Sequence, residues 1–258
     1  LLPLSHEGSP LQTGCGLYLQ PASNIMTTIG KLIAIEGVDG AGKHTQTELL
    51  GRALATRGVS CVTFSFPRYD SFFGKMIASF LNGEFGGLED VDPRLTALLY
   101  AGDRLEAKPE LEAALAAGKT ILADRYIASN LAHQCARVIP EQRSEFLAWL
   151  RRLEYDIYGL PAETLVVYLR VKPAQAQQLV ERKAARGYTS LKRDLLESNL
   201  THLDQAARVY DALAAEPNWV TIECLDAASG TMKPPEEIHR AVLAAVEAPA
   251  AGGRRAAS

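Results

Sequence analysis

Short aliphatic and β-branched runs alternate along this chain with longer stretches in which apolar residues recur every three or four positions, the pattern of a parallel sheet covered by helices. Five runs read as strands: Lys31–Glu36, Ser60–Phe66, Thr120–Asp124, Thr164–Arg170 and Trp219–Glu223. Each is nearly free of charge inside, as expected for strands buried on both faces. Between them the spacing predicts helices over His44–Arg57, Phe72–Leu81, Pro93–Ala117, Ser129–Arg137, Glu141–Tyr155, Pro173–Lys183, Asp194–Ala215 and Pro235–Val246, with Pro109 bending the third. The fold class is therefore α/β: a five-stranded parallel sheet flanked by helices, in one domain over residues 29–247. Residues 1–28 carry Pro, Gly, Ser and Gln without periodicity and read as a disordered extension, with Met26 a candidate natural start. Residues 248–258, mostly Ala, Gly and Arg, read as a disordered tail.

The first strand runs directly into Gly37-Val38-Asp39-Gly40-Ala41-Gly42-Lys43-His44-Thr45, after which an amphipathic helix begins. Strand, glycine-rich turn and helix start, in that order, are what a phosphate cradle requires. The glycines let the backbone N–H groups face inward, and the helix adds the positive end of its dipole. Lys43 is then the point charge for the β- and γ-phosphates of a nucleoside triphosphate. The next position ordinarily carries Ser or Thr, whose hydroxyl helps to hold Mg²⁺, and here it is His44. Mg²⁺ prefers oxygen, so His44 reads as a surface or supporting residue. The metal then falls to phosphates, water and a carboxylate, of which Asp124 at the end of the third strand is the candidate, and Thr45 is left to contact a phosphate oxygen.

Composition narrows the partners. With 27 Lys and Arg scattered among 30 Asp and Glu, and a formal charge of −3, the chain has no basic stripe for nucleic acid. No apolar run has the length of a membrane span. Small molecules, or a second copy of the chain, are the expected partners. Cys15, Cys61, Cys135 and Cys224 are far apart with no CxxC spacing, and read as the reduced thiols of a cytosolic protein.

Four further segments give the phosphate loop a context. With Ile35–Gln46, they are Phe66-Pro-Arg68, Leu99-Tyr-Ala-Gly-Asp-Arg104, Asp124-Arg-Tyr126 followed by Ser129 and Gln134, and Gly159–Leu169. In this order and spacing the chain resembles the thymidylate kinases, over about residues 30–225. The resemblance implies a three-layer P-loop kinase fold with a short mobile lid. It implies Mg²⁺-dependent transfer of the γ-phosphoryl of ATP to dTMP in the cytoplasm, on the way to dTTP, and a homodimer. It makes Arg68 the grip on the monophosphate, Asp39 the loop acid that orients the acceptor side, and Tyr100 the ring against the pyrimidine. Arg104, four residues after Tyr100 and so on the same helical face, would bond the base edge. Arg125 joins Arg68 at the acceptor phosphate, while Ser129, His133 and Gln134 face base and sugar. His133 stands where the family usually carries Tyr or Phe, which bears on discrimination between deoxyribose and ribose.

The lid maps to about 182–194, a cation-rich stretch with Gly187 as a hinge. Its usual Asp-Arg pair is replaced by Asp194-Leu195, so Arg182, Arg186 and Arg193 compete for the catalytic role, Arg186 first because it abuts Gly187. Taken singly, Arg68 also reads as a surface cation, Tyr100 as a core aromatic and Asp124-Arg125 as a helix-start ion pair. Two other functions fit the same residues. A nucleoside kinase, or a kinase of another pyrimidine monophosphate, shares the scaffold; a nucleoside acceptor would use Glu36 as general base. A weak nucleotide-binding relative would account for His44 and the altered lid.

Overall fold

The computed structural model describes residues 30–172, 175, 196 and 199–248. Five strands, β1 (Lys31–Glu36), β2 (Cys61–Ser65), β3 (Thr120–Asp124), β4 (Leu165–Arg170) and β5 (Trp219–Glu223), form one parallel sheet in the order β2-β3-β1-β4-β5. Ile35 of β1 and Ser65 of β2 both pair with Asp124, so the carboxyl ends of β2, β3 and β1 lie level along one edge. That edge is where open α/β sheets bind ligands. Burial on both faces holds for β1, β3 and β4; β2 and β5 are the outer strands and stay half exposed along most of their length. The lack of charge that suggested five buried strands thus marks three of them and two edges.

Seven α-helices can be given bounds among the described residues: α1 (Lys43–Thr56), α2 (Phe72–Leu81), α3 (Pro93–Ala116), α4 (Ile127–Cys135), α5 (Arg143–Arg151), α6 (Leu200–Leu213) and α7 (Pro235–Glu247). α1 packs with α7, and α4 with α3, α5 and α6, giving helical layers around the sheet. Most starts are chemically marked. Ser71 Oγ accepts the N–H of Gly74 at α2, Asp92 Oδ1 that of Arg94 at α3, and Asn199 Oδ1 that of His202 at α6. The last of these sets the start of α6 at Leu200, later than the periodicity from Asp194 implied. α3 continues through Pro109 as one element.

α4 begins at Ile127, two residues before its expected start, because its cap comes from another strand. Glu36, at the end of β1, accepts the N–H groups of Tyr126 (2.7 Å) and Ser129 (3.2 Å) with one carboxylate oxygen. A carboxylate at a helix N-terminus satisfies orphan donors and the dipole together. The stretch expected as one helix over Glu141–Tyr155 divides into a 3₁₀ turn at Pro140–Gln142, α5, and a wide π turn over Arg152–Ile157. Apart from Gln175, which is helical, the expected helix Pro173–Lys183 lies outside the described residues, as do the lid at 182–194, residues 1–28 and most of the tail. Among the described residues no helix is long and apolar enough to cross a membrane.

Candidate active site

The loop after β1 turns through Gly37, Gly40 and Gly42, with φ of 143°, 89° and 90°. At Gly37 a Cβ would meet the Leu169 carbonyl oxygen at 2.6 Å, so the loop passes closer to β4 than any side chain permits. Gly42 caps α1 in the left-handed region. Within this turn the Lys43 ammonium donates to the carbonyls of Gly37 (2.9 Å) and Val38 (3.0 Å) and lies 4.0 Å from Asp39. Burial, and then the Arg125 charge, push its pKa down to about 8, against the pull of Asp39, Asp124 and Glu36.

Arg125 follows β3 directly. Its φ of 66° is the left-handed conformation, a cost of about 1–2 kcal/mol for a side chain of this size. Its backbone N–H is held by Ile35 O at 3.1 Å, and its guanidinium reaches Asp39, the Ser129 hydroxyl (3.1 Å) and His133 Nε2 (3.4 Å). Burial works against the charged form, but Asp39, and then Tyr210, Glu36 and Asp124, raise its pKa well above the usual arginine value. An arginine only donates, so His133 Nε2 must accept, and its Nδ1–H points to His202 Nε2 at 3.3 Å. Both imidazoles stay neutral. His133 is pushed far down by burial, Arg125 and His202; His202 falls to about 4 through burial and then Arg137.

Ser129 donates its hydroxyl to Glu36 Oε2 (2.6 Å) and accepts from Arg125, with Tyr210 OH 3.0 Å away and donating to the same carboxylate oxygen. Glu36 is fully buried, and its second oxygen also accepts from Tyr210 OH at 2.9 Å. With donors on both oxygens, it is a structural hub rather than a free base.

Two cavities open along this edge. One is lined by Gly40, Gly42, Lys43, His44 and Asp124. The other is lined by Tyr100, Arg104, Asn130, His133 and Gln134 among others. They share Asp39 and Arg125, together with Phe66, Pro67 and Tyr69. Val38 and Ala41 are buried beneath the loop, and Thr45 is exposed on the first turn of α1. His44 is exposed, 3.5 Å from both Asp124 and Glu48, as a surface residue beside the metal candidate. Asp124 suits a hard cation as a single carboxylate. Among the described residues no group of three metal-ligating side chains gathers around it.

In the second cavity Arg104 is 2 % exposed and is gripped through Nε (2.8 Å) and Nη2 by Glu154, which the sequence reading did not single out. Asn130, also missed, donates Nδ2 to the same carboxylate at 2.7 Å. Gln134 accepts from Thr96 Oγ (2.7 Å) and Arg137 (2.9 Å). Arg68 lines neither cavity. Its side chain bonds Asp103 Oδ1 (3.3 Å), the Asp103 carbonyl (3.2 Å) and Glu110 (3.3 Å), and so ties the β2–α2 loop to α3. Arg186 and the other lid arginines lie outside the described residues.

Comparison with known proteins agrees with this geometry. The thymidylate kinase family model matches residues 35–239. The thymidylate kinase of Mycobacterium tuberculosis H37Rv is 36% identical over 186 residues, 72% of this chain and 86% of that protein. The human thymidylate kinase is 33% identical over 147 residues, 57% of this chain and 64% of the human protein. The solved structure of thymidylate kinase from Candida albicans superposes with a TM-score of 0.65 at 20% identity, over 84% of this chain and 91% of that one, and so shares its fold. A phosphate loop and a second cavity meeting at Asp39 and Arg125, on a sheet of this order, and a family match spanning both, establish that the chain belongs to the thymidylate kinase family.

Proposed function

We propose that this chain transfers the γ-phosphoryl group of ATP to dTMP, giving dTDP and ADP, with Mg²⁺, and that the phosphoryl group crosses where the two cavities meet. The single observation that carries the reading is their shared pair, Asp39 and Arg125. Loose phosphoryl-transfer transition states need alignment and charge neutralisation more than acid–base chemistry. The loop N–H groups and Lys43 hold the ATP phosphates. Arg125, already fixed by Ser129 and His133, exchanges part of its hold on Asp39 for the acceptor phosphate. Tyr100 lies against the pyrimidine and Arg104 bonds its edge. Asp124 would carry the metal, which supplies neutralisation of charge on the phosphate oxygens when bound. A cation from the segment 182–194, Arg186 first, closes over the migrating group and excludes water.

A nucleoside acceptor is disfavoured by Glu36, whose two oxygens are occupied by four donors. A homodimer belongs to the same proposal, supported by the exposed apolar side chains Phe72, Leu95 and Leu105 on α2 and α3. So does a cytosolic setting, in which the free thiols Cys61, Cys135 and Cys224 stay reduced. The test is ADP release with ATP, Mg²⁺ and dTMP, dUMP, dCMP, UMP or thymidine as acceptor, beside Lys43→Ala. Turnover highest with dTMP and lost in the variant is expected. ATP binding without turnover on any acceptor would sink the proposal.

A further inference from the structure

His44 follows the loop lysine, where a hydroxyl is the usual side chain, and its imidazole lies between two carboxylates. Nδ1 is 3.5 Å from Asp124 Oδ2, and Nε2 is 3.5 Å from Glu48 Oε1. The ring stands on the first turn of α1 and Asp124 ends β3, so two separate elements bring them together. Both line the phosphate-loop cavity with Gly40, Gly42 and Lys43. Glu48 comes one helical turn after His44, on the same face, and is itself 3.6 Å from Arg52. The Asp124 side chain is mostly buried and that of His44 mostly exposed, so the carboxylate is fixed and the ring is free to adjust.

Glu48, His44 and Asp124 stand in the order of a carboxylate–histidine–metal relay, with room for an ion between the last two. In such relays the outer carboxylate takes the proton of the far ring nitrogen, and the near nitrogen presents its lone pair. Here Glu48 faces Nε2, and Nδ1 faces Asp124. An ion bonded at about 2.1 Å to both Nδ1 and Oδ2, across their 3.5 Å separation, would subtend an angle of about 110°, that of a tetrahedral site. Turning the exposed ring inward by about 0.5 Å gives the right angle of an octahedron at the same bond lengths. The triphosphate cradled by the loop brings its own oxygens to this place. A hydroxyl after the lysine would add one more oxygen, which suits Mg²⁺. An imidazole adds nitrogen, which Mg²⁺ takes poorly and ions such as Co²⁺ and Zn²⁺ take well.

We propose that His44 is a nitrogen ligand to the divalent ion that accompanies ATP, with Glu48 as its supporting carboxylate. The loop is thereby tuned toward ions of the Co²⁺ and Zn²⁺ class, compared with a loop that carries a hydroxyl at this position. The inference rests on the loop holding ATP, and ATP binding in wild type with its loss in Lys43→Ala checks that part alone. Co²⁺ is the probe, because it is paramagnetic and accepts tetrahedral and octahedral sites. With a non-hydrolysable ATP analogue and no acceptor, proton spectra of the Co²⁺ complex should show strongly shifted imidazole resonances that vanish in His44→Thr. In turnover, the ratio of kcat/KM with Co²⁺ to that with Mg²⁺ should fall by about tenfold or more in His44→Thr, which restores the hydroxyl. It should fall in the same direction, by a smaller factor, in Glu48→Ala, where the ring remains and its support is lost. A histidine that is only a surface group would leave spectra and ratio the same in wild type and His44→Thr, and that result overturns the proposal. Shifted imidazole resonances that persist in His44→Thr belong to another histidine and overturn it equally. Should dTMP turn over with neither metal, the acceptor reading fails and the spectra alone decide this one.

Discussion

Replacing Glu36 by glutamine tests whether the end of β1 is a hub or a chemical group. Glu36 accepts four hydrogen bonds: the N–H groups of Tyr126 and Ser129 on one oxygen, the hydroxyls of Ser129 and Tyr210 on the other. Bonds to a charged acceptor contribute about 1.5–3 kcal/mol and neutral ones about 0.5–1.5. Glutamine keeps one acceptor oxygen and forces the two hydroxyls to accept where they now donate. Losing roughly 1 kcal/mol at each of two to four bonds gives a destabilisation of about 2–4 kcal/mol. For a domain of this size that lowers Tm by about 5–15 °C. Thermal and urea unfolding followed by circular dichroism measure it. Because Ser129 passes this restraint to Arg125, KM for dTMP should rise several-fold while kcat changes less. A stability loss below about 1 kcal/mol would mean that the carboxylate does not cap α4 in the way described. Intact stability with kcat down by 10² or more, on the order expected for a general base, would place Glu36 on the reacting groups and revive the nucleoside reading.

Lys43 offers a pH test. Its pKa in the free protein is pushed down to about 8, so the unfolded chain binds more protons between about pH 8 and its ordinary value of 10.5, and stability of the free protein rises across that window. ATP phosphates favour the ammonium, so ATP binding at pH 8 should take up about half a proton, against almost none at pH 6.5. Calorimetry in buffers of different ionisation enthalpy reads the uptake, and persistence of the uptake in Lys43→Met would assign it elsewhere. Arg68→Ala, which frees the nearly buried Asp103, should cost about 1–3 kcal/mol of stability and leave KM for dTMP within about twofold. A tenfold rise in KM would return Arg68 to the acceptor phosphate.

What could be read from the sequence was local. The phosphate loop is legible because each of its parts has a backbone reason, and strand, glycines and helix are consecutive. Strand positions came through to within a residue at each end, since β-branched runs differ so plainly from the helical stretches around them. Which strands lie at the edges did not, because that depends on sheet order and not on composition. The start of α4 and the break in α5 were hidden for a related reason. Glu36 caps a helix about ninety residues away, and Glu154 acts on a side chain fifty residues back. Arg68 shows the converse limit. The resemblance gives it to the acceptor phosphate, and the partners it has here, Asp103 and Glu110, come from α3, which its own motif does not include.

The register of β1 against β3 has a consequence for how this protein can change. Asp39 and Lys43 hang from the end of one strand and Arg125 from the end of its neighbour, and the pairing of Ile35 with Asp124 sets their relative height. The gap a phosphoryl group must cross is therefore ruled by a ladder of backbone hydrogen bonds, in which the smallest possible slip is a whole residue and would turn every side chain to the opposite face. Loops around the site can lengthen, shorten and exchange side chains while that gap stays constant. Substrate preference is open to gradual adjustment in such a protein, whereas the span of the reaction itself is quantised.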